Sequence, residues 1–431
     1  MNRWACHSLW FGAGLGLLFL VSSALAQESR AGAETGSEVE ALKKALEETR
    51  QEFETMKAFY EGKIQELEGR LKKLEEAPPA PARVEEALPA PPPTPPVPTG
   101  MPRVVQTLLP DISVIGDFVG NVTDDDNDPL GDRFTFREVE LALQAALDPY
   151  ARADFFIAVE REPGGFRVDL EEGYVTALTL PFGLQAKAGR FLANFGRLNR
   201  IHRPEMFHVD HPLVLTNFFG EEARLRVEGV SVSGLIPNPW EQYLELSLEV
   251  FNGDNEVILA GSDFRHPAYL GHLKFFSDLT EASSLEVGAS GLVGYNDPDA
   301  TRLTTMQGID LTYKWKPPLK ALYRSFMLRT EFLFNQREQP GGEVESFGFY
   351  TFGRYQLSRR WFAGLRYDYS QFPTSSRDHE WALSPILEFW PSEFSRLRAQ
   401  YRHTGSNFGR SVDEFFLQWT FTIGAHRPEI F

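Results

Sequence analysis

The residues best suited to chemistry fall in one stretch and one row. Between Arg197 and Glu222 the chain carries His202, His208 and His211, three imidazoles within ten residues, with Asp210 among them. Imidazole is a common zinc ligand, so a metal site built from these three histidines is one expectation. Arg197, Arg200 and Arg203 lie in the same stretch. The competing expectation is a long loop folded into a water-filled passage, with those arginines at its narrow part. The row is Arg396, Arg398 and Arg402, spaced by even numbers and so on one face of an extended strand. Guanidinium groups match carboxylate and phosphate bidentately. Catalytic signatures are missing: there is no Gly-x-Ser-x-Gly elbow and no His-Glu-x-x-His pair. No enzyme and no cofactor are expected. The acidic run Asp124-Asp125-Asp126-Asn127-Asp128 resembles the start of a calcium loop, but Pro129 stands where that loop needs glycine. It reads as a surface loop.

The elements that would position these residues are bounded by composition. The chain has 431 residues, 42% hydrophobic and 24% charged, with a formal net charge of −17. That charge argues against a nucleic-acid partner, since phosphate neutralisation needs clustered Lys and Arg. Mean hydropathy is −0.29, and only the N-terminus carries a long apolar run, which excludes a polytopic helical membrane protein. A membrane β-barrel stays open, because its strands average an apolar face with a polar one.

Residues 1–26 read as a secretory signal: Arg3, an apolar run from Leu9 to Val21, and Ala24-Leu25-Ala26 at the cleavage site. The one cysteine, Cys6, lies within it, so the exported chain would hold no disulfide and no thiolate site. In the stretch 27–77, Val39, Leu46, Phe53, Tyr60, Leu67 and Leu74 recur every seventh residue, while the matching core positions include Lys43, Arg50 and Lys57. This is a coiled-coil stalk with a polar first half, expected to self-associate. Residues 78–104 are proline-rich, including Pro91-Pro92-Pro93-Thr94-Pro95-Pro96, and form an extended spacer.

From 105 to 431 the period changes to two. Sixteen alternating stretches run from 111–122 to 412–424, each bounded by turn residues. Tight connections such as Asp148-Pro149, Pro317-Pro318 and Pro391-Ser392 alternate with longer polar ones, including 123–132, 252–267, 337–344 and 372–378. Leu365, Tyr367 and Tyr369 fall on one face against Arg366, Asp368 and Ser370 on the other. Leu417, Trp419 and Phe421 likewise oppose Gln418 and Thr420. Side chains just fill a barrel interior at about eight strands. Sixteen enclose far more, so the polar face must line water and the apolar face must meet lipid. The fold class is therefore all-β, a transmembrane antiparallel barrel of about sixteen strands. Glu172 falls on an expected lipid-facing position, which calls for a bulge or a shifted register there. Pore-lining residues would be Arg329, Arg366, Arg396, Arg398, Arg402 and Lys314, with Glu380, Glu388, Asp368 and Glu414 as the acids.

These features resemble the Gram-negative outer-membrane porins, which usually end in an aromatic residue, as Phe431 does here. Ala188-Gly189-Arg190-Phe191 with Phe195-Gly196, then Phe219-Gly220-Glu221 and Gly229-Val230, are similar to the phosphate-selective porin O and P family over roughly residues 105–431. The resemblance implies passive diffusion of small hydrophilic solutes or ions, anions such as phosphate among them, through an outer-membrane homotrimer in contact with lipid and lipopolysaccharide. The tail after Gly424 departs from that pattern. A stalk in the periplasm would also suit a tether to peptidoglycan, which is the alternative role.

Overall fold

The computed structural model describes residues 110–424, apart from 126, 127, 130, 256 and 262–264. The signal, the stalk, the linker and Phe431 lie outside the described residues.

Lipid on one side and water on the other impose a period of two on each strand, and that period governs the strands from Asp111 to Gly424. The strands are β1 Asp111–Thr123, β2 Arg133–Asp148, β3 Ala151–Glu162, β4 Gly165–Ala177, β5 Gln185–Leu192, β6 Arg226–Leu235, β7 Tyr243–Phe251, a two-residue ladder β8 Gly253–Asp254 with β9 Ala260–Gly261, β10 Ala268–Thr280, β11 Ser283–Tyr295, β12 Leu303–Trp315, β13 Phe326–Gln339, β14 Gly342–Gln356, β15 Trp361–Phe372, β16 Ser375–Ser392, β17 Ser395–Ser406 and β18 Val412–Gly424. Leaving aside the β8–β9 ladder, sixteen strands form one closed barrel. Every neighbouring pair is antiparallel, and β1 closes on β18 with Phe118 opposite Trp419. Closure leaves no unpaired edge, which a sheet in hydrocarbon cannot tolerate.

Burial assigns the faces. Arg366 on β15 is wholly buried, while its neighbour Leu365 is 52% exposed; on β17, Arg398 is 2% exposed and Leu397 42%. Polar residues thus point into the barrel and large apolar ones out, except for a buried apolar patch of the inner wall around Tyr350 and Phe352. The outer surface carries Trp361, Tyr367, Trp381, Tyr401 and Trp419 among its aliphatic residues, the composition of a lipid-facing belt.

Two expectations need correction. The stretches 337–344 and 372–378 are not loops: β13 and β14 run on to a turn at 340–341, and β15 and β16 meet at 373–374. Polarity there marks solvent, not the end of pairing. Pro317-Pro318 in turn belongs to a longer connection, 316–325, with a 3₁₀ turn at Pro318–Lys320. Of the long connections, 124–132, 193–225 and 252–267 lie at the end opposite Asp111 and Gly424, and 316–325 lies at the other end.

The bulge anticipated at Glu172 is present. The β3–β4 register shifts so that Phe156 faces Glu172 and Ile157 faces Leu170. Glu171 is the extra residue, and both carboxylates turn inward and are buried.

Candidate functional site

The chain between β5 and β6 folds into the barrel. Its base is closed by Asn199, whose side-chain amide donates to the carbonyls of Ala193 (2.7 Å) and Leu225 (3.1 Å) and whose oxygen accepts from the Leu225 N–H (2.7 Å). It thereby reinforces the last backbone bond between the two strands, from the Ala193 N–H to the Leu225 carbonyl (2.9 Å). Asn199 sits in the first of two 3₁₀ turns, Leu198–Arg200 and Arg203–Glu205, the second with Pro204 in its first turn. A short helix, α1 (Leu213–Phe219), begins after Pro212, which contributes no N–H that the helix start would leave unpaired. It stops at Gly220, whose φ of 98° suits glycine. Earlier, Gly196 takes φ 63°, and a Cβ there would stand 2.3 Å from Glu331 Oε2.

The loop is amphipathic. Phe195, Leu198, Met206, Val214, Leu215, Phe218 and Phe219 are buried in one cluster with Leu292, Met306, Leu333, Tyr350, Phe352 and Ile386 of the wall. Fully burying such a side chain contributes about 1.5–3 kcal/mol. The inner wall is therefore apolar where the loop rests on it. The loop and the wall from β1 to β7 line a cavity of about 390 Å³, with Arg152, Asp154, Lys187, Arg197, Arg200 and Glu249 among its residues.

Polar anchors fix the loop's path. Arg396 donates to the carbonyl of Pro204, and Arg398 to that of Met206 at 2.7 Å. Gln400 Oε1 accepts from the Val209 N–H (2.8 Å). Asp210 is the principal anchor: Arg366 donates to its carboxylate at 2.7 Å and to its carbonyl at 2.9 Å, Arg402 to its carboxylate at 2.6 Å, and Gln400 also donates to it. Burial alone would raise the Asp210 pKa, but Arg366 and Arg402 hold it well below the usual carboxylate range.

The residues singled out from sequence are placed as follows. Arg366, Arg396, Arg398 and Arg402 lie on the inner face, but they grip the loop. Asp368 pairs with Arg366 (2.8 Å), Glu414 with Arg402, and Glu388 with Arg354 (2.8 Å) and Arg398 (3.5 Å). Glu380 accepts from Asn217 of α1 (3.2 Å). Arg329 is buried near the Phe207 ring, and Lys314 is half-buried on β12. In the loop, Arg197 pairs with Glu286 (2.7 Å), Arg203 lies 4.0 Å from Glu138, and Arg200 donates to Asn194 (2.9 Å) and lines the cavity.

The three histidines do not gather, and a site of His202, His208 and His211 is not formed. His208 is hydrogen-bonded to the Asp210 carbonyl (2.7 Å) and meets the rings of Tyr350 and Phe352 edge-on. Burial and the nearby Arg366 lower its pKa. His211 is buried with neither ring nitrogen hydrogen-bonded, and burial and Arg203 lower its pKa likewise. His202 differs. Its Nδ1 lies 2.8 Å from Glu140 and 2.9 Å from Glu171, and its Nε2 2.8 Å from Glu172. Burial opposes its charge, but Glu140 and Glu171 outweigh that and raise its pKa well above the usual value. Sequence reasoning missed these partners. The signal was present in Glu172, the residue that broke the alternation.

The Asp124–Asp128 loop is tied locally. Asp124 accepts from the Asp413 N–H (2.8 Å) and Asp128 from Asn121 (3.1 Å); Asp126 and Asn127 lie outside the described residues.

Among solved structures the barrel is similar to the anion-selective porin from Comamonas acidovorans, with a TM-score of 0.51 and 11% identity over 73% of this chain and 99% of that one. It is similar also to the outer membrane channel DcaP of Acinetobacter baumannii, with a TM-score of 0.50 and 14% identity over 73% and 97%. At such identities the likeness is one of fold, and the fold is that of the outer-membrane porins. No family model matches the chain. An uncharacterized protein of Aquifex aeolicus (strain VF5) is 30% identical over 343 residues, 69% of this chain and 70% of that protein. The chain belongs to the same family as that Aquifex aeolicus protein.

Proposed function

We propose that the protein is an outer-membrane channel for passive diffusion of small hydrophilic solutes and ions, narrowed by its inward loop. The observation that carries this reading is the pairing of an apolar outer belt with a polar inner wall around sixteen strands. Such an interior is too wide for the wall's own side chains to fill. The inward loop reduces that space to a narrower passage, with Arg197, Arg200 and Arg203 on it.

Selectivity is weak in this reading. Arg396, Arg398, Arg366 and Arg402 spend their hydrogen bonds on the loop, so they are not an open ladder for phosphate. The cavity wall mixes Arg152, Lys187 and Arg200 with Asp154, Glu245 and Glu249, which favours neither sign. Reversal potentials across a salt gradient test this: values near zero are expected, and a strongly anion-selective potential would contradict it.

The preceding chain completes the proposal: a signal at 1–26, a periplasmic coiled-coil stalk at 27–77 and a proline spacer at 78–104. The heptad supports self-association, with a homotrimer as the assembly and lipid and lipopolysaccharide as its surroundings. A second role as a tether to peptidoglycan is supported by the reach of helix plus spacer, about 130 Å. Loss of cell-wall co-sedimentation when residues 28–100 are removed, with channel activity kept, is the expected result. Unchanged co-sedimentation would remove the tether.

A further inference from the structure

We propose that His202, Glu140 and Glu171 form a binding site for a divalent transition-metal ion of the zinc class, clamping the inward loop to the barrel wall. The inference stands on side-chain geometry and does not depend on the channel reading.

Two carboxylate oxygens, Glu140 Oε2 and Glu171 Oε2, converge on one ring nitrogen at 2.8 and 2.9 Å. A single Nδ1 carries at most one proton, so two carboxylate acceptors must share it in a three-centre bond weaker than two aligned ones. A cation bound by all three atoms resolves that crowding. Suitable ligand atoms of the three residues lie within 4.8 Å of one another, and all three residues are buried. Metal–ligand bonds of about 2.0–2.2 Å need the carboxylates to move outward by only a few tenths of an ångström.

The surroundings match what holds a metal-bound imidazole. The opposite ring nitrogen, Nε2, meets Glu172 Oε1 at 2.8 Å, and the other oxygen of Glu172 accepts from the Leu192 N–H at 2.8 Å. A carboxylate behind the ring fixes the tautomer and directs Nδ1 toward the ion. Arg224 engages Glu171 through Oε1, leaving Oε2 for the metal. A further observation comes from β2. Glu138, two residues before Glu140 on the same face, is wholly buried with both carboxylate oxygens lacking a hydrogen-bond partner. An imidazole among carboxylates favours zinc-like ions over magnesium or calcium, which take oxygen ligands.

Each ligand has a structural cause. Glu140 comes from β2, and the β4 bulge turns both Glu171 and Glu172 inward. The 3₁₀ turns of the loop deliver His202 between them. The site thus joins the loop to β2 and β4, strands other than those that carry the Asp210 anchor's arginines, β15 and β17.

The test uses the purified, folded full chain dialysed against Zn²⁺ and then metal-free buffer, with metal counted by mass spectrometry. One zinc per chain is expected. Glu140→Gln should weaken zinc binding by at least 100-fold, whereas His403→Gln, on the outer surface, should not change it. Absence of stoichiometric zinc, or full retention in a folded Glu140→Gln chain, would overturn the proposal. If the variant does not fold, Co²⁺ added to the wild-type chain decides. Visible absorption of a four- or five-coordinate imidazole-ligated ion supports the site; the weak spectrum of aqueous six-coordinate cobalt refutes it.

Discussion

Replacing Asp210 by Asn should loosen the inward loop without unfolding the barrel. The carboxylate accepts from Arg366 at 2.7 Å and from Arg402 at 2.6 Å. Hydrogen bonds to a charged group contribute about 1.5–3 kcal/mol and neutral ones about 0.5–1.5. With the arginines still charged, each bond falls from the upper to the lower part of the charged range, about 1–1.5 kcal/mol, and the two together lose about 2–3 kcal/mol. The loss stays below the roughly 3–5 kcal/mol of a broken buried pair, because Arg366 keeps Asp368 at 2.8 Å. At about 1.36 kcal/mol per factor of ten, the population with the loop detached rises about 30- to 150-fold. Two assays read this. Single-channel current should show transitions to a higher level that are rare in the wild type, and trypsin should cut after Arg200 faster. Asp413→Asn, at an exposed outer position, serves as control. A folded Asp210→Asn chain with wild-type current and wild-type trypsin resistance would refute the anchoring role.

Other outcomes follow from the same geometry. Because Arg366 and Arg402 depress the Asp210 pKa, its stabilisation is complete above the unfolded carboxylate value, about 3.9, and is lost only as pH falls through the lower folded value. Current transitions of the Asp210→Asn kind should therefore not appear in the wild type between pH 7 and pH 4.5; their appearance near pH 5 would contradict the shift. Gly196→Ala should cost about 1–2 kcal/mol for the backbone alone, and more as the new Cβ displaces Glu331, which accepts from the Leu198 N–H at 2.8 Å. A lower temperature for the heat-induced gel shift of the folded barrel measures it. Leu365→Arg puts a charge on the lipid face and should destabilise the barrel by up to about 2–4 kcal/mol in urea titrations of vesicle-inserted protein; no loss would mean that the face was misassigned.

The barrel was legible in the sequence and the path of the loop was not, for a physical reason. Lipid and water force every strand to alternate, so Leu365 and Arg366 declare opposite faces without knowledge of their neighbours. The loop 193–225 has no such period. Its path is set by Asn199 bridging its base, by apolar residues meeting Tyr350 and Phe352 and by Asp210 reaching Arg366, partners more than a hundred residues away in the last two cases. The inward direction of Arg396 and Arg398 could be read from spacing; that they would bind the carbonyls of Pro204 and Met206 could not. The histidines misled because proximity in sequence is not proximity of ring nitrogens in irregular backbone. The more telling residue was Glu172, whose violation of the alternation marked the bulge beside His202.

The central claim is that a water-filled channel runs through the barrel and is narrowed by residues 197–220. Single-channel conductance in planar bilayers, measured for the full chain and for a chain with 197–220 replaced by a short Gly-Ser turn, tests it most directly. Discrete conducting steps are predicted for the full chain, and larger steps for the folded deletion. A folded full chain that passes no current, or a folded deletion with unchanged steps, would contradict the account.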